Sequence, residues 1–156
     1  VIGEDHGVED ALAALDLLAG DDAVRIINRG GLAAWIGGTG WAGIAPGSRY
    51  LFTPEAVRRL VANRDQVVTR SRWAPGAGVA TMWQTVLNGV TFGRNVALAA
   101  LGKGAAAPAE RPWQRRLDTV VSLIAALPAI VISLPLELIA GLVRRGSAVT
   151  LQLELL

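Results

Sequence analysis

The chain has 156 residues, 52% of them hydrophobic and 18% charged, with a net charge of +2 and no cysteine. That length suits one domain with a core of its own, and the composition excludes a disordered chain. The missing thiols exclude a disulfide framework, a cysteine nucleophile and a cysteine zinc site, and they fit a cytoplasmic setting.

The apolar share is richer than in most soluble domains, so part of it calls for a membrane or a partner. Charge is uneven. Seven acids fall in the first 22 residues, and arginine dominates beyond them; the basic part can face phosphate or anionic lipid, or be an ordinary solvated arginine surface. No aromatic-basic motif supports nucleic-acid binding. The sequence has no secretory leader pattern, and its start at Val1 rather than methionine points to a segment upstream.

In chain order, Val1 and Ile2 read as the end of a strand and Gly3 to Gly7 as a polar loop. His6 in that loop is a candidate acid or base, because free histidine titrates near neutrality, or simply an exposed histidine near a chain end. From Val8 to Ala19, Leu12, Leu15, Leu18 and Ala19 recur at helical spacing, and Gly20 stops the helix. Asp21 and Asp22 turn the chain into a strand over Ala23 to Ile27, read as buried and bounded by Asn28. Leu32 to Ile36 makes one helical turn. Gly37, Gly38 and Gly40 follow as a flexible loop, since neither a strand–GxGxxG–helix context nor a following Lys-Ser/Thr supports a phosphate cradle.

Trp41 to Phe52 is loop, rich in the turn formers Gly43, Pro46, Gly47 and Ser48. Thr53 then caps a helix, Pro54 takes its first position, and Glu55 sits in the first turn where an anion is favoured. Ala56, Val57, Leu60 and Val61 give it an apolar stripe to Asn63. Gln66 to Trp73 alternates as a strand with one basic face, ended by Pro75, Gly76 and Gly78. Val79 to Leu101 reads as helix broken at Gly89 or Gly93, with Trp83 as an aromatic packed in a lid or core.

Gly102 to Pro112 is a Gly/Ala/Pro linker. Val120 to Leu142 has Glu137 as its only charge, is flanked by Arg115–Arg116 and Arg144–Arg145, and is long enough to cross a bilayer. Pro128 and Pro135 break the backbone ladder there and Glu137 is costly in hydrocarbon, so two or three short helical pieces are expected. They would pack over the sheet, lie in a membrane interface or form a re-entrant hairpin. Ala148 to Leu155 alternates plainly as a strand.

Trp41, Gly43, Pro46, Phe52, Thr53, Pro54 and Glu55 fall in the order of a motif in one group of class I S-adenosylmethionine (SAM) dependent methyltransferases, Trp-x-Gly, Asp-x-Pro-Arg-His and then Phe-Thr-Pro-Glu opening a helix. The chain resembles the C-terminal half of that group. It departs at Ala45, Gly47 and Ser48, where the group has aspartate, arginine and histidine; Arg49 and Tyr50 restore a basic and a polar group if the loop shifts by about two residues.

The resemblance implies an α/β fold: a partial Rossmann-like methyltransferase sheet of the last three strands, the final strand antiparallel, with a helical apolar insertion over 76–145 of a single domain spanning 1–156. It implies SAM as cofactor, with Glu4 and Asn28 on the donor side and His6 as the candidate catalytic residue. Trp41, Arg49, Tyr50 and Trp83 would face a small-molecule or lipid-like acceptor. The glycine-rich turn that holds SAM is missing, so the chain needs a partner chain or an N-terminal half to bind the donor. The alternative is a noncatalytic membrane-associated protein whose working element is 120–142, placed in the cytoplasm or peripherally on a membrane.

Overall fold

The computed structural model describes residues 4–17, 23–44, 46, 49–103 and 105–155. The expected strand end at Val1–Ile2, the turn at Asp21–Asp22 and the departures at Ala45, Gly47 and Ser48 lie outside them. The chain runs α1 (Glu4–Asp16), β1 (Ala23–Ile27), α2 (Leu32–Gly37), α3 (Pro54–Ala62), β2 (Gln66–Trp73), α4 (Pro75–Asn88), α5 (Val96–Ala100), α6 (Pro112–Leu142) and β3 (Ala148–Leu155). It is a mixed α/β structure.

The strands form one sheet in the order β1-β3-β2, and β3 runs antiparallel to both neighbours. The last strand therefore lies between the two that precede it. Alternation decides the faces. Val24 and Ile26 pair with Leu151 and Val149 and point into a core completed by Leu15 of α1, Phe52, and Val57 and Val61 of α3. Arg25 and Arg72 both stand opposite Thr150, and Arg70 opposite Gln152, so the other face is basic. This corrects the buried reading of β1, whose residues alternate between inside and outside. An antiparallel sheet can leave one face to water in this way.

The helix start at Thr53 follows its chemistry. Thr53 Oγ1 accepts from the Ala56 amide at 3.1 Å and Pro54 opens the helix. Three boundaries differ from expectation. The stretch containing Glu4 and His6 is helical rather than loop. Pro75 opens α4 instead of ending order, because a helix's first position needs no N–H. The Val79–Leu101 segment divides at Gly89 into α4 and α5, with Asn95 in the left-handed region at φ 57° before α5.

The largest difference is α6, a single helix of 31 residues that continues through Pro128 and Pro135. Each proline removes one backbone bond but fits a helix whose other bonds persist, and α4 packs along it in the opposite direction. Trp83 Nε1 donates to the Ala126 carbonyl at 3.0 Å in the turn that Pro128 interrupts. A second core of Ala33, Ala34, Trp41 and Met82, with Leu136 against it, joins α2, α4 and α6.

Thr53→Ala removes the cap of α3 and is expected to lower stability by about 1 kcal/mol in a urea titration, whereas Thr53→Ser should cost only a few tenths. Equal losses for the two would show that the hydroxyl does not cap the helix.

Candidate functional site

The most constrained polar group of the described chain is Glu137, which has 0% of its surface exposed. Its Oε1 accepts from Trp73 Nε1 at 2.9 Å and from the Ser147 amide at 2.8 Å; its Oε2 accepts from Ser147 Oγ at 2.5 Å. The carboxyl thus ties α6 to the last residue of β2 and to the entry of β3. It also lies against Gly78 of α4, where any Cβ would collide with it. At the other end of α6, Asp118 is 2% exposed and accepts from the amides of Phe92 and Gly93, both at 2.8 Å.

These two anchors fix how α6 is turned. Its inner side carries Ser122, Ala126, Ala129, Ser133, Glu137 and Ala140, small or polar residues at three- and four-residue spacing. The exposed positions from Val120 to Leu142 carry only leucine, isoleucine, valine and the two prolines, and Leu127 is 74% exposed. At 100° per residue that apolar arc covers roughly 200° of the helix. Helices in water place large aliphatics inside and charges outside; α6 does the reverse. Only 11% of its most apolar 18-residue window is buried, unlike the core helix of a soluble protein.

Expected acceptor contacts line two concavities. One is a cleft of about 650 Å³ between α1, β1 and the loop before α3, and Arg49 and Tyr50 line it together with Asp10, Arg25 and Phe52. The other is an apolar groove of about 570 Å³ between α4, α5 and α6, lined in part by Trp83. The expected acceptor contacts are therefore divided between two places. Trp41 is in neither: it is a core residue, 1% exposed, with Arg29 5.6 Å from its ring centroid and an Nε1 lacking a hydrogen-bond partner among the described residues.

Two features that could face a donor are taken up by the fold itself. Asn28, an expected donor contact, is buried and bonded at both ends of its amide: its Nδ2 donates to the Gly146 carbonyl at 3.0 Å and its Oδ1 accepts from the Gly30 amide at 2.9 Å. The Gly30–Gly31 pair does stand between a strand and a helix. At Gly31, however, the space a Cβ would take is filled by the Gly146 and Asn28 carbonyls and by Ser147 Cα. This glycine admits the entry of β3 rather than a phosphate. Glu4 and His6 lie in the first turn of α1.

Glu137→Ala would leave the Trp73 and Ser147 donors unpaired and is expected to cost about 3 kcal/mol or more in a guanidinium titration in mild detergent. Glu137→Gln keeps the shape and an acceptor and should cost clearly less, and a loss below about 1 kcal/mol for the alanine variant would contradict the anchoring role. No protein-family model, no curated protein and no solved structure matches this chain.

Proposed function

We propose that the chain is the acceptor-side half of a SAM-dependent methyltransferase-like protein, transferring a methyl group to a small-molecule or lipid-like acceptor. The observation that carries this reading is the strand order β1-β3-β2, with the last strand antiparallel between the other two. The methyltransferase group it resembles ends its sheet in the same way, with an apolar insertion before the last strand. Donor binding falls to residues beyond those described, and the outer edge of β1, which has no strand partner among the described residues, is where further strands would join. On this side the chain offers the cleft beside Arg49 and Tyr50, where a guanidinium and a phenol can hold and orient a polar acceptor group.

A second reading, a noncatalytic membrane-associated protein, is favoured by the outward apolar arc of α6. From Arg116 to the end of α6 at Leu142 the helix rises about 39 Å at 1.5 Å per residue, close to the roughly 40–45 Å of a bilayer with its headgroup regions, and Arg144 follows just beyond. An interfacial helix needs a charged outer face, and α6 shows none between its two ends. The second reading places α6 in lipid; the first needs it only as the apolar insertion before the last strand.

Radiolabelled SAM supplied with a lipid extract to the protein of the complete reading frame is expected to label the organic phase. Arg49→Ala should lower that labelling by about tenfold if it orients the acceptor, about 1.4 kcal/mol of transition-state binding. Absence of label in both lipid and small-molecule fractions would remove the methyltransferase reading. The 156 residues alone should bind neither SAM nor S-adenosylhomocysteine in a calorimeter. Flotation with phosphatidylcholine vesicles at low and high salt tests the membrane placement, which fails if the protein sediments in both.

A further inference from the structure

The groove between α4, α5 and α6 has a polarity of its own. Val79, Ala80, Trp83, Ala97 and Leu101 make its walls, and Leu123 and Ile130 carry it onto the exposed arc of α6. It is therefore continuous with the surface that the membrane-associated reading places in lipid. Its volume of about 570 Å³ is within the roughly 300–1,000 Å³ of sites that enclose a small ligand.

Polar groups are few in the groove. Lys103, the only lysine of the chain, is its one charged side chain. Thr119 and Ser122 lie at the end of the groove nearer the start of α6, beyond which come Arg115 and Arg116. Ser122 Oγ is shielded from solvent and has no hydrogen-bond partner among the described residues.

We propose that this groove binds one acyl chain of an anionic membrane lipid, with its headgroup paired to Lys103. The apolar walls exclude water from the chain, each buried methylene contributing about 0.8 kcal/mol. A lysine is a point charge with three donors, suited to a phosphate or carboxylate at a surface. Charge complementarity selects an anionic lipid over a zwitterionic one. The inference rests on the placement of α6 in lipid, and it adds a stoichiometric site to what would otherwise be unspecific solvation by lipid.

The test uses the chain in phosphatidylcholine nanodiscs with a lysophosphatidic acid carrying a diazirine in mid-chain. Photolabelling is expected to saturate at one lipid per chain and to map to α4 and α5. Lys103→Glu should weaken it about tenfold, Lys103→Arg should retain it, and Ala97→Trp, which fills the groove, should abolish saturation. Lysophosphatidylcholine should label about tenfold less, and inorganic phosphate should not compete.

Unsaturable labelling spread over Leu127 and Val131, or labelling indifferent to Lys103→Glu, would overturn the proposal. Competition by inorganic phosphate would overturn the acyl-chain assignment. Flotation of the same preparations separates the two levels. A wild-type chain that floats but labels without saturation loses only the groove, whereas one that fails to float loses the membrane placement as well.

Discussion

Glu137 sits in a helix that is otherwise uncharged from Val120 to Leu142, and burying its carboxyl is tolerable because three donors from two strand ends meet it. Those donors come from Trp73 and Ser147, the points where the chain leaves and re-enters the sheet. The inserted helices are thus fastened to the sheet at their root. Because an α-helix repeats every 3.6 residues, fixing Glu137 inward fixes every other position of α6 as well. Alanine and serine are turned toward α4, and leucine, isoleucine and valine outward.

That rotation separates two environments in one chain. The sheet keeps a dry face under α1 and α3 and a basic face with Arg25, Arg70 and Arg72, an arrangement for water or for anions. The α4–α6 hairpin is built as helices pack in lipid, where small residues let backbones approach and large aliphatics face the surroundings. The Asp118 anchor keeps the far end of the hairpin closed through the Phe92 and Gly93 amides. Tight fastening at both ends leaves the space between α4, α5 and α6 as a preformed groove.

Much of the sheet is legible from local chemistry. Thr53, Pro54 and Glu55 specify a helix start by satisfying its amides and dipole, and the alternation from Val149 to Leu155 specifies β3 without reference to anything distant. The hairpin is less legible because its determinants are not local. Pro128 and Pro135 predict breaks only if nothing else holds the segment, and the contacts that hold it come from α4 and α2. Glu137 reads as a cost in sequence because its partners lie at positions 73 and 147. The spacing of Ser122, Ala126, Ala129, Ser133 and Ala140 does carry a signal, a small-residue packing face, visible as soon as the segment is treated as one helix. Of the residues expected at a site, local chemistry leaves the placement open: Arg49 and Tyr50 share a cleft and Trp83 lines a groove, while Trp41 and Asn28 serve packing and loop closure.

Because the chain contains no cysteine, single cysteines placed along α6 can report what its outward face meets. In vesicles, nitroxide labels at exposed positions of the arc such as Leu127, Val131 and Leu138 should be relaxed by oxygen dissolved in the bilayer and shielded from a water-soluble nickel chelate, while labels at Ala129 and Ser133 should be reached by neither. Free access of the nickel chelate to Leu127 and Val131 would contradict a lipid-facing α6 and, with it, the account of this protein as a sheet bound to a membrane-embedded hairpin.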